Sequence, residues 1–152
     1  MTRILTGEYR QSLPEQPPAP FLRGRVVHGA SAVELDFLID TGAEVTVLSP
    51  VDAANLFGDQ AHRLLSRLYP TAQIAGIGHG EAVEVPLTLV FRDPDEGPLY
   101  IRQPTLVMQP QTAAIGPLPS LLGRDVINRF ALLLNPATET VEFTELDAAP
   151  LE

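Results

Sequence analysis

Hydrophobic and polar residues alternate in short runs along most of the chain. RGRVVH, VELDFLI and EVPLTLVF show the two-residue period of half-buried strands, and turn-forming residues separate such runs. The predicted turns lie at Gly29-Ala30-Ser31, at 93–97 (DPDEG) and at Asn135-Pro136-Ala137-Thr138, which are rich in glycine, proline, aspartate and asparagine. The pattern predicts an all-β fold of about eight short strands.

Helical signals interrupt this pattern in a few places. Ser49 is a predicted N-cap, Pro50 suits the first helical position, and the helix is expected to run to Phe57 and stop at Gly58. A second short helix is predicted in DQAHRLLSRLY, before Pro70. Its expected apolar face consists of Ala61, Leu64, Leu65 and Leu68.

A third short helix is predicted within SLLGRDVINRF. Val126, Ile127 and Phe130 would form its apolar side, and Asp125 near its start would interact favourably with the helix dipole. The fold class is therefore all-β with two or three short helices.

The chain is long enough for one domain with a sizeable core. Residues 1–10 are expected to form an edge strand or an arm, and 11–20, with four prolines in QSLPEQPPAP, an extended linker. Together, 1–20 form a predicted N-terminal arm and linker, 21–146 the folded domain, and 147–152 a tail. No internal repeat is visible.

Composition excludes several function classes. The 152 residues carry a formal net charge of −9, which argues against nucleic-acid binding and against docking on an anionic membrane. The chain has no cysteine, so disulfides, thiolate metal sites and a cysteine nucleophile are excluded. This, together with the absence of a signal peptide or a long apolar stretch, predicts a cytoplasmic protein. The three histidines show no metal-site spacing, and no metal or other cofactor is expected.

The stretch FLIDTGAEVTVLSP places a lone aspartate, Asp40, at the end of an apolar run. A buried charge is costly unless it is paired, and Gly42 allows the backbone to turn sharply directly after it. The residues alone leave two interpretations open. Asp40 is either a turn aspartate that accepts hydrogen bonds from its own loop or a functional carboxylate mounted on a rigid strand.

Three segments, in this order, resemble the retropepsin-like aspartic proteases. They are Leu38-Ile39-Asp40-Thr41-Gly42-Ala43 with 45–48, the glycine-rich 75–80 (AGIGHG), and Leu121-Leu122-Gly123-Arg124-Asp125 with Val126 and Ile127. The resemblance covers about residues 21 to 146 and is closer to cellular and bacterial members than to the compact viral enzymes. It implies an acid-protease barrel with one lobe per chain.

The resemblance also implies a hydrolase, an aspartic-type endopeptidase. Because the chain has one Asp-Thr-Gly, the two catalytic aspartates would be Asp40 of each subunit in a homodimer. The substrate would be a peptide or protein with apolar side chains, bound as an added strand. The implied active-site loop is Thr41, Gly42 and Ala43, the implied supporting residues are Arg124, Glu44 and Gly123, and the implied substrate-binding flap is Gly76, Ile77, Gly78, His79 and Gly80.

Alternatives remain at each level. The glycine-rich segment could be an ordinary turn, and a phosphate-binding loop is conceivable although the segment has neither the Rossmann spacing nor the Walker lysine. Arg124 could be a solvated arginine at a helix start rather than a partner of Glu44. The whole chain could be a non-catalytic dimeric module that binds peptides or serves as a scaffold, or an unrelated β-barrel in which Asp-Thr-Gly occurs by chance.

The C-terminal strands of retroviral relatives pair between subunits, and the extra hairpin at Asn135-Pro136-Ala137-Thr138 suggests a differently built dimer interface.

Overall fold

A computed structural model describes residues 2–11, 14–58, 61–74, 80–108 and 118–147. These residues form ten strands and three short helices, which confirms the all-β class. The strands are β1 Ile4–Arg10, β2 Ala19–His28, β3 Ser31–Ile39, β4 Val47–Leu48, β5 Thr71–Ile74, β6 Gly80–Asp93, β7 Gly97–Met108, β8 Leu121–Leu122, β9 Phe130–Asn135 and β10 Thr140–Glu145. The helices are α1 Pro50–Phe57, α2 Ala61–Leu68 and α3 Arg124–Ile127.

Six of the strands close into a barrel. The sheet runs β6-β7-β4-β8-β3-β2, and β2 pairs again with β6 through Arg25–Val27, so that the two ends meet. The interior is filled by buried aromatic and aliphatic side chains, among which Phe37 and Phe91 pack with ring centroids 6.0 Å apart. Alternation along the strands places these side chains inside, as the two-residue period predicts.

Three further strands extend the sheet from β2. The order there is β2-β1-β10-β9, and β1 therefore lies between two partners rather than at an edge. β1 and β2 pair antiparallel with Arg10 opposite Ala19, so the proline-rich segment begins and ends beside the same strand pair, and the linker stays a prediction. Antiparallel pairing brings the two ends of this connection together, and the Gln11 side chain donates to the carbonyls of Pro14 and Gln16. The domain boundary at residue 20 stays a prediction.

The turns and the first helix lie where the sequence predicts them. Gly29 has φ +58° between β2 and β3, a conformation that favours glycine. The Ser49 hydroxyl accepts a hydrogen bond from the Asp52 N–H at 3.2 Å, as an N-cap should, and α1 ends before Gly58.

The predictions for the other two helices need correction. In α2, which lies against α1 and β6, Leu65 is buried but Leu64 and Leu68 are 60% and 63% exposed. Phe130 is buried as expected, but it begins β9 rather than belonging to α3, whose C-cap is Asn128.

Candidate active site

Asp40 directly follows the end of β3 in the barrel wall. β3 runs parallel to β8, and the Asp40 N–H donates to the Leu122 carbonyl at 3.1 Å. The preceding hydrogen bond of this ladder joins the Leu38 N–H to the Ser120 carbonyl at 2.9 Å. The backbone of the aspartate is therefore held by the sheet, while its side chain is half-buried at the sheet's end.

The Asp-Thr-Gly segment forms a tight turn. The Ala43 N–H donates to the Asp40 carbonyl at 3.1 Å, and the Gly42 N–H donates to Asp40 Oδ1 at 3.0 Å. No other donor in the described parts of the chain reaches the carboxylate. A Cβ on residue 42 would lie 3.2 Å from Asp40 Oδ1, so glycine leaves room beside the acid. Thr41 and Gly42 are exposed.

The start of α3 supports the loop that follows. The Arg124 N–H donates to the Ala43 carbonyl at 2.9 Å, and the Asp125 N–H donates to the Glu44 carbonyl at 3.2 Å. Gly123 permits this close approach, because a Cβ there would lie 2.4 Å from the Val45 carbonyl carbon. The helix start thus holds the loop through two backbone hydrogen bonds.

The Asp125 carboxylate connects three segments behind this loop. It accepts hydrogen bonds from the Thr46 hydroxyl at 2.7 Å, the Thr46 N–H at 3.0 Å and Gln103 Nε2 at 2.7 Å, and also from the Val126 N–H at 2.9 Å. The Thr46 hydroxyl in turn accepts from the Gly123 N–H at 3.1 Å. Hydrogen bonds to a charged acceptor are the stronger kind, so this network fixes the far end of the loop.

A second polar cluster anchors the start of α1. Asp52 Oδ2 accepts from the hydroxyls of Ser120 at 2.6 Å and Ser49 at 3.1 Å, and the Ser49 N–H donates to Ser120 Oγ at 2.9 Å. Both serines are buried. The segment before β8 is thereby attached to the helix that follows β4, so the loop from Asp40 to Ser49 is bonded at both ends.

The predicted supporting residues lie together, although their side chains interact weakly. Arg124 Nη2 lies 3.9 Å from Glu44 Oε1, and the two side chains are 45% and 85% exposed. An exposed pair at this distance contributes little. Arg124 and Glu44 support the loop mainly through their backbone groups, as does Gly123.

Sequence reasoning missed Thr46, Gln103 and the bonding role of Asp125. Asp125 was predicted only as an acid at a helix start, because its partners are distant in sequence. The one available signal was Thr46 itself, a hydroxyl residue within an otherwise apolar run.

The predicted flap lies largely outside the described residues. Gly76, Ile77, Gly78 and His79 are not described, whereas Gly80 is the first residue of β6. β5 and β6 are antiparallel with Ile74 opposite Gly80, so the described residues on either side of 75–79 belong to neighbouring strands.

The described residues contain neither a membrane-spanning helix nor a cluster of metal-binding side chains. None of their helices is both long and apolar enough to cross a membrane. In the same residues, no group of three or more His, Cys, Asp or Glu side chains is arranged to hold a metal ion.

Comparisons with known proteins gave one informative result. No protein-family model matches the chain, and no curated protein matches it. Among solved structures, the chain is similar to EIAV protease complexed with the inhibitor HBY-793, with 18% identity and a TM-score of 0.41. The match covers 78% of this chain and 92% of that chain.

Proposed function

We propose that the protein is an aspartic endopeptidase whose active site forms from Asp40 of two identical subunits. The observation that carries the proposal is how few partners the Asp40 carboxylate has. The sheet fixes the backbone of Asp40, and one carboxylate oxygen accepts a hydrogen bond from the Gly42 N–H. Among the described residues, no cationic side chain and no further donor binds the carboxylate. A turn aspartate without another role does not require the supporting network around Thr46 and Asp125.

The chemistry follows from bringing two such carboxyl groups together. Two carboxylates in close contact cannot both be ionised, so the pair holds one proton. The ionised member takes a proton from a water molecule, which attacks the peptide carbonyl, and the protonated member polarises that carbonyl. Collapse of the tetrahedral intermediate transfers a proton to the leaving amine and breaks the C–N bond.

The neighbouring residues have roles that suit this reaction. In the proposal, the exposed Thr41 stabilises the two facing loops through its hydroxyl, and the backbone of Gly42 hydrogen-bonds to substrate. An extended peptide with apolar side chains would lie across the loops and be covered by the segment around 76–80, acting as a flap.

The test is peptide cleavage by the purified protein. A mixed peptide library is incubated at a series of pH values from about 3.5 to about 7, because a carboxyl pair that shares one proton works in acidic to near-neutral solution. We expect cleavage that pepstatin inhibits and that Asp40→Asn abolishes. Asp40→Asn retains an oxygen for the Gly42 N–H, so its unfolding free energy should stay within about 0.5 kcal/mol of the wild-type value.

Asp147→Asn is the matched control, because it removes one negative charge from an exposed carboxylate and should leave cleavage unchanged. Cleavage that persists in Asp40→Asn would refute the proposal. Peptide binding without cleavage over the whole pH range would favour the non-catalytic module.

A further inference from the structure

Tyr100 lies on the outer face of the barrel wall. It is 66% exposed, and in the register of β6 and β7 it lies opposite the half-buried Val90. Both side chains point outward, because their neighbours along the strands, Phe91 and Ile101, are buried in the core. The barrel therefore presents an exposed aromatic ring beside an aliphatic side chain on its outer surface.

Three exposed arginines surround this pair. Arg25 of β2 lies opposite Val90 in the register. Arg92 lies two residues beyond Val90 in β6, and Arg102 lies two residues beyond Tyr100 in β7, toward the other end of the strands. Alternation along each strand turns these arginines to the same face as Tyr100. The apolar pair thus has an arginine on three of its sides.

No acid of the neighbouring strand neutralises these arginines. Glu34 lies opposite Arg25 in the register of β2 and β3, but its carboxylate binds Arg23 Nη2 at 3.2 Å. Asp36 binds Arg23 and Arg10. Throughout the described ranges, none of the three arginines around Tyr100 forms an ion pair. Their charges therefore stay unpaired although the chain carries a net charge of −9.

The turn after Arg92 does not supply the missing partners. Asp93 is buried, and its carboxylate accepts hydrogen bonds from three backbone N–H groups at the start of β1 and within the turn. Asp95 and Glu96 form no ion pair with any residue that the structure describes. Unpaired cations on an acidic protein suit a partner that brings its own carboxylates.

The spacing of the arginines matches an extended peptide. Arg92 and Arg102 belong to rows of the β6–β7 register that are four residues apart, which is about 13 Å along the strands, and Tyr100 lies in the row midway. In an extended chain, the side chains on one face recur at every second residue, about 7 Å apart. Acids at the first and fifth residues of a segment would thus reach the two arginines while an apolar third residue covers Tyr100.

We propose that this outer face binds acidic segments of partner proteins in an extended conformation, with the pattern acid-x-apolar-x-acid. Arginine suits such a partner, because its planar guanidinium can donate two parallel hydrogen bonds to one carboxylate. The tyrosine ring offers a large contact area at a low cost in side-chain entropy. The inference goes beyond the proposed function and does not depend on it, since Asp40 takes no part in this binding.

A peptide is a better occupant than a nucleic acid. Nucleic acids carry one phosphate charge per nucleotide, and the chain as a whole is strongly negative, so all but the few contacted phosphates would be repelled. A peptide can place its carboxylates only where the arginines lie. The outer face therefore favours a segment with few, separated charges.

Fluorescence anisotropy tests the binding. The probe is a fluorescein-labelled peptide with glutamate as its first and fifth residues, phenylalanine as its third, and serine between them. The protein is the full chain carrying Asp40→Asn, so that cleavage does not interfere with the titration. We expect saturable binding that weakens about fivefold or more when salt rises from about 50 mM to about 500 mM, because exposed charge pairs are screened. No saturable binding up to about 1 mM protein in the low salt would overturn the inference.

Arginine variants locate the binding to this face. Arg92→Gln combined with Arg102→Gln should weaken binding about tenfold, because both carboxylates lose their charged donors. Arg63→Gln combined with Arg67→Gln is the matched control, since these two arginines are exposed on α2 and their loss changes the net charge equally. We expect the control to bind like the parent protein. Equal losses in the two double variants would mean that overall charge alone attracts the peptide, and would overturn the site.

The tyrosine is tested separately from the charges. Tyr100→Ser should weaken binding about threefold or more, whereas Tyr100→Phe, which keeps the ring, should bind like the parent protein. An unchanged affinity in Tyr100→Ser would refute the role of the ring in the pattern.

Two further probes test the pattern and the class of partner. A peptide of the same composition with its two glutamates adjacent should bind about fivefold more weakly, because one glutamate then lies away from an arginine. Equal affinity for the two peptides would overturn the predicted spacing. A labelled oligothymidylate that binds more tightly than the first peptide would overturn the assignment to acidic peptides.

Discussion

The buried Thr46 hydroxyl offers a sharp test of what holds the Asp40 loop in place. It donates to Asp125 Oδ1 at 2.7 Å and accepts from the Gly123 N–H at 3.1 Å. Thr46→Val has nearly the same shape but removes both hydrogen bonds. The Gly123 N–H would then lack its partner in a buried position.

The expected loss can be worked from these contacts. A hydrogen bond to a charged group contributes about 1.5–3 kcal/mol, and an unsatisfied buried N–H costs about 1–3 kcal/mol. The added methyl group of valine returns about 0.8 kcal/mol. We therefore expect Thr46→Val to lower the free energy of unfolding by about 2–5 kcal/mol.

Urea denaturation at one fixed protein concentration measures this change, because any dimer would make the transition concentration-dependent. Thr46→Ser is the matched control, since it keeps the hydroxyl and loses only a methyl group, at a cost of about 1 kcal/mol. Equal stability of the valine and serine variants would refute the role assigned to the hydroxyl.

Three further predictions concern Gly123, Asp93 and helix α2. Gly123→Ala should lower the free energy of unfolding by about 1–3 kcal/mol or more, because its Cβ would overlap the loop backbone; an unchanged melting temperature would contradict this. Backbone N–H donors, above all that of Ile4, hold the pKa of Asp93 below its ordinary value. The ionised carboxylate therefore stabilises the fold at pH values above the ordinary carboxyl pKa, and this stabilisation is lost as the pH falls through the lowered pKa of the folded state. Asp93→Asn should therefore lower the denaturation midpoint at neutral pH but not at strongly acidic pH, whereas the exposed Asp95→Asn should have little effect at either. Leu65→Ala should cost about 2–4 kcal/mol and the exposed Leu64→Ala less than about 0.5 kcal/mol in thermal unfolding; equal losses would mean that α2 packs differently.

Local signals in the sequence predicted much of the strand and turn pattern. α1 is the clearest case, because its N-cap, its proline and its terminal glycine each act within a few residues. The hairpin turns at Gly29 and Asn135 were predictable for the same reason, since their geometry depends on the turn residues themselves.

Long-range packing could not be predicted in this way. The apolar residues Leu64, Leu65 and Leu68 suit one helical face, yet only tertiary contacts decide that Leu65 alone is buried. β1 looked like an edge strand because nothing local reveals that β10, more than a hundred residues later, pairs with it.

In the candidate site, too, local features were predictable and long-range contacts were not. Asp40 and its turn were recognisable from consecutive residues, and Gly123 from its position before a short helix. The bonds of Asp125 to Thr46 and Gln103 join segments that only the folded barrel brings together. The sequence therefore indicated the acid and its turn, but not the network that holds them.

A mixing experiment tests the central claim, that two subunits share one pair of Asp40 carboxyl groups. Wild-type protein is unfolded and refolded with an equal amount of Asp40→Asn protein, and peptide cleavage is compared with that of the same total amount of wild type. If both aspartates of a dimer are required, about one quarter of the activity should remain, because only that fraction of randomly formed dimers has two wild-type subunits. If about one half remains, each chain works alone, and the shared active site is refuted.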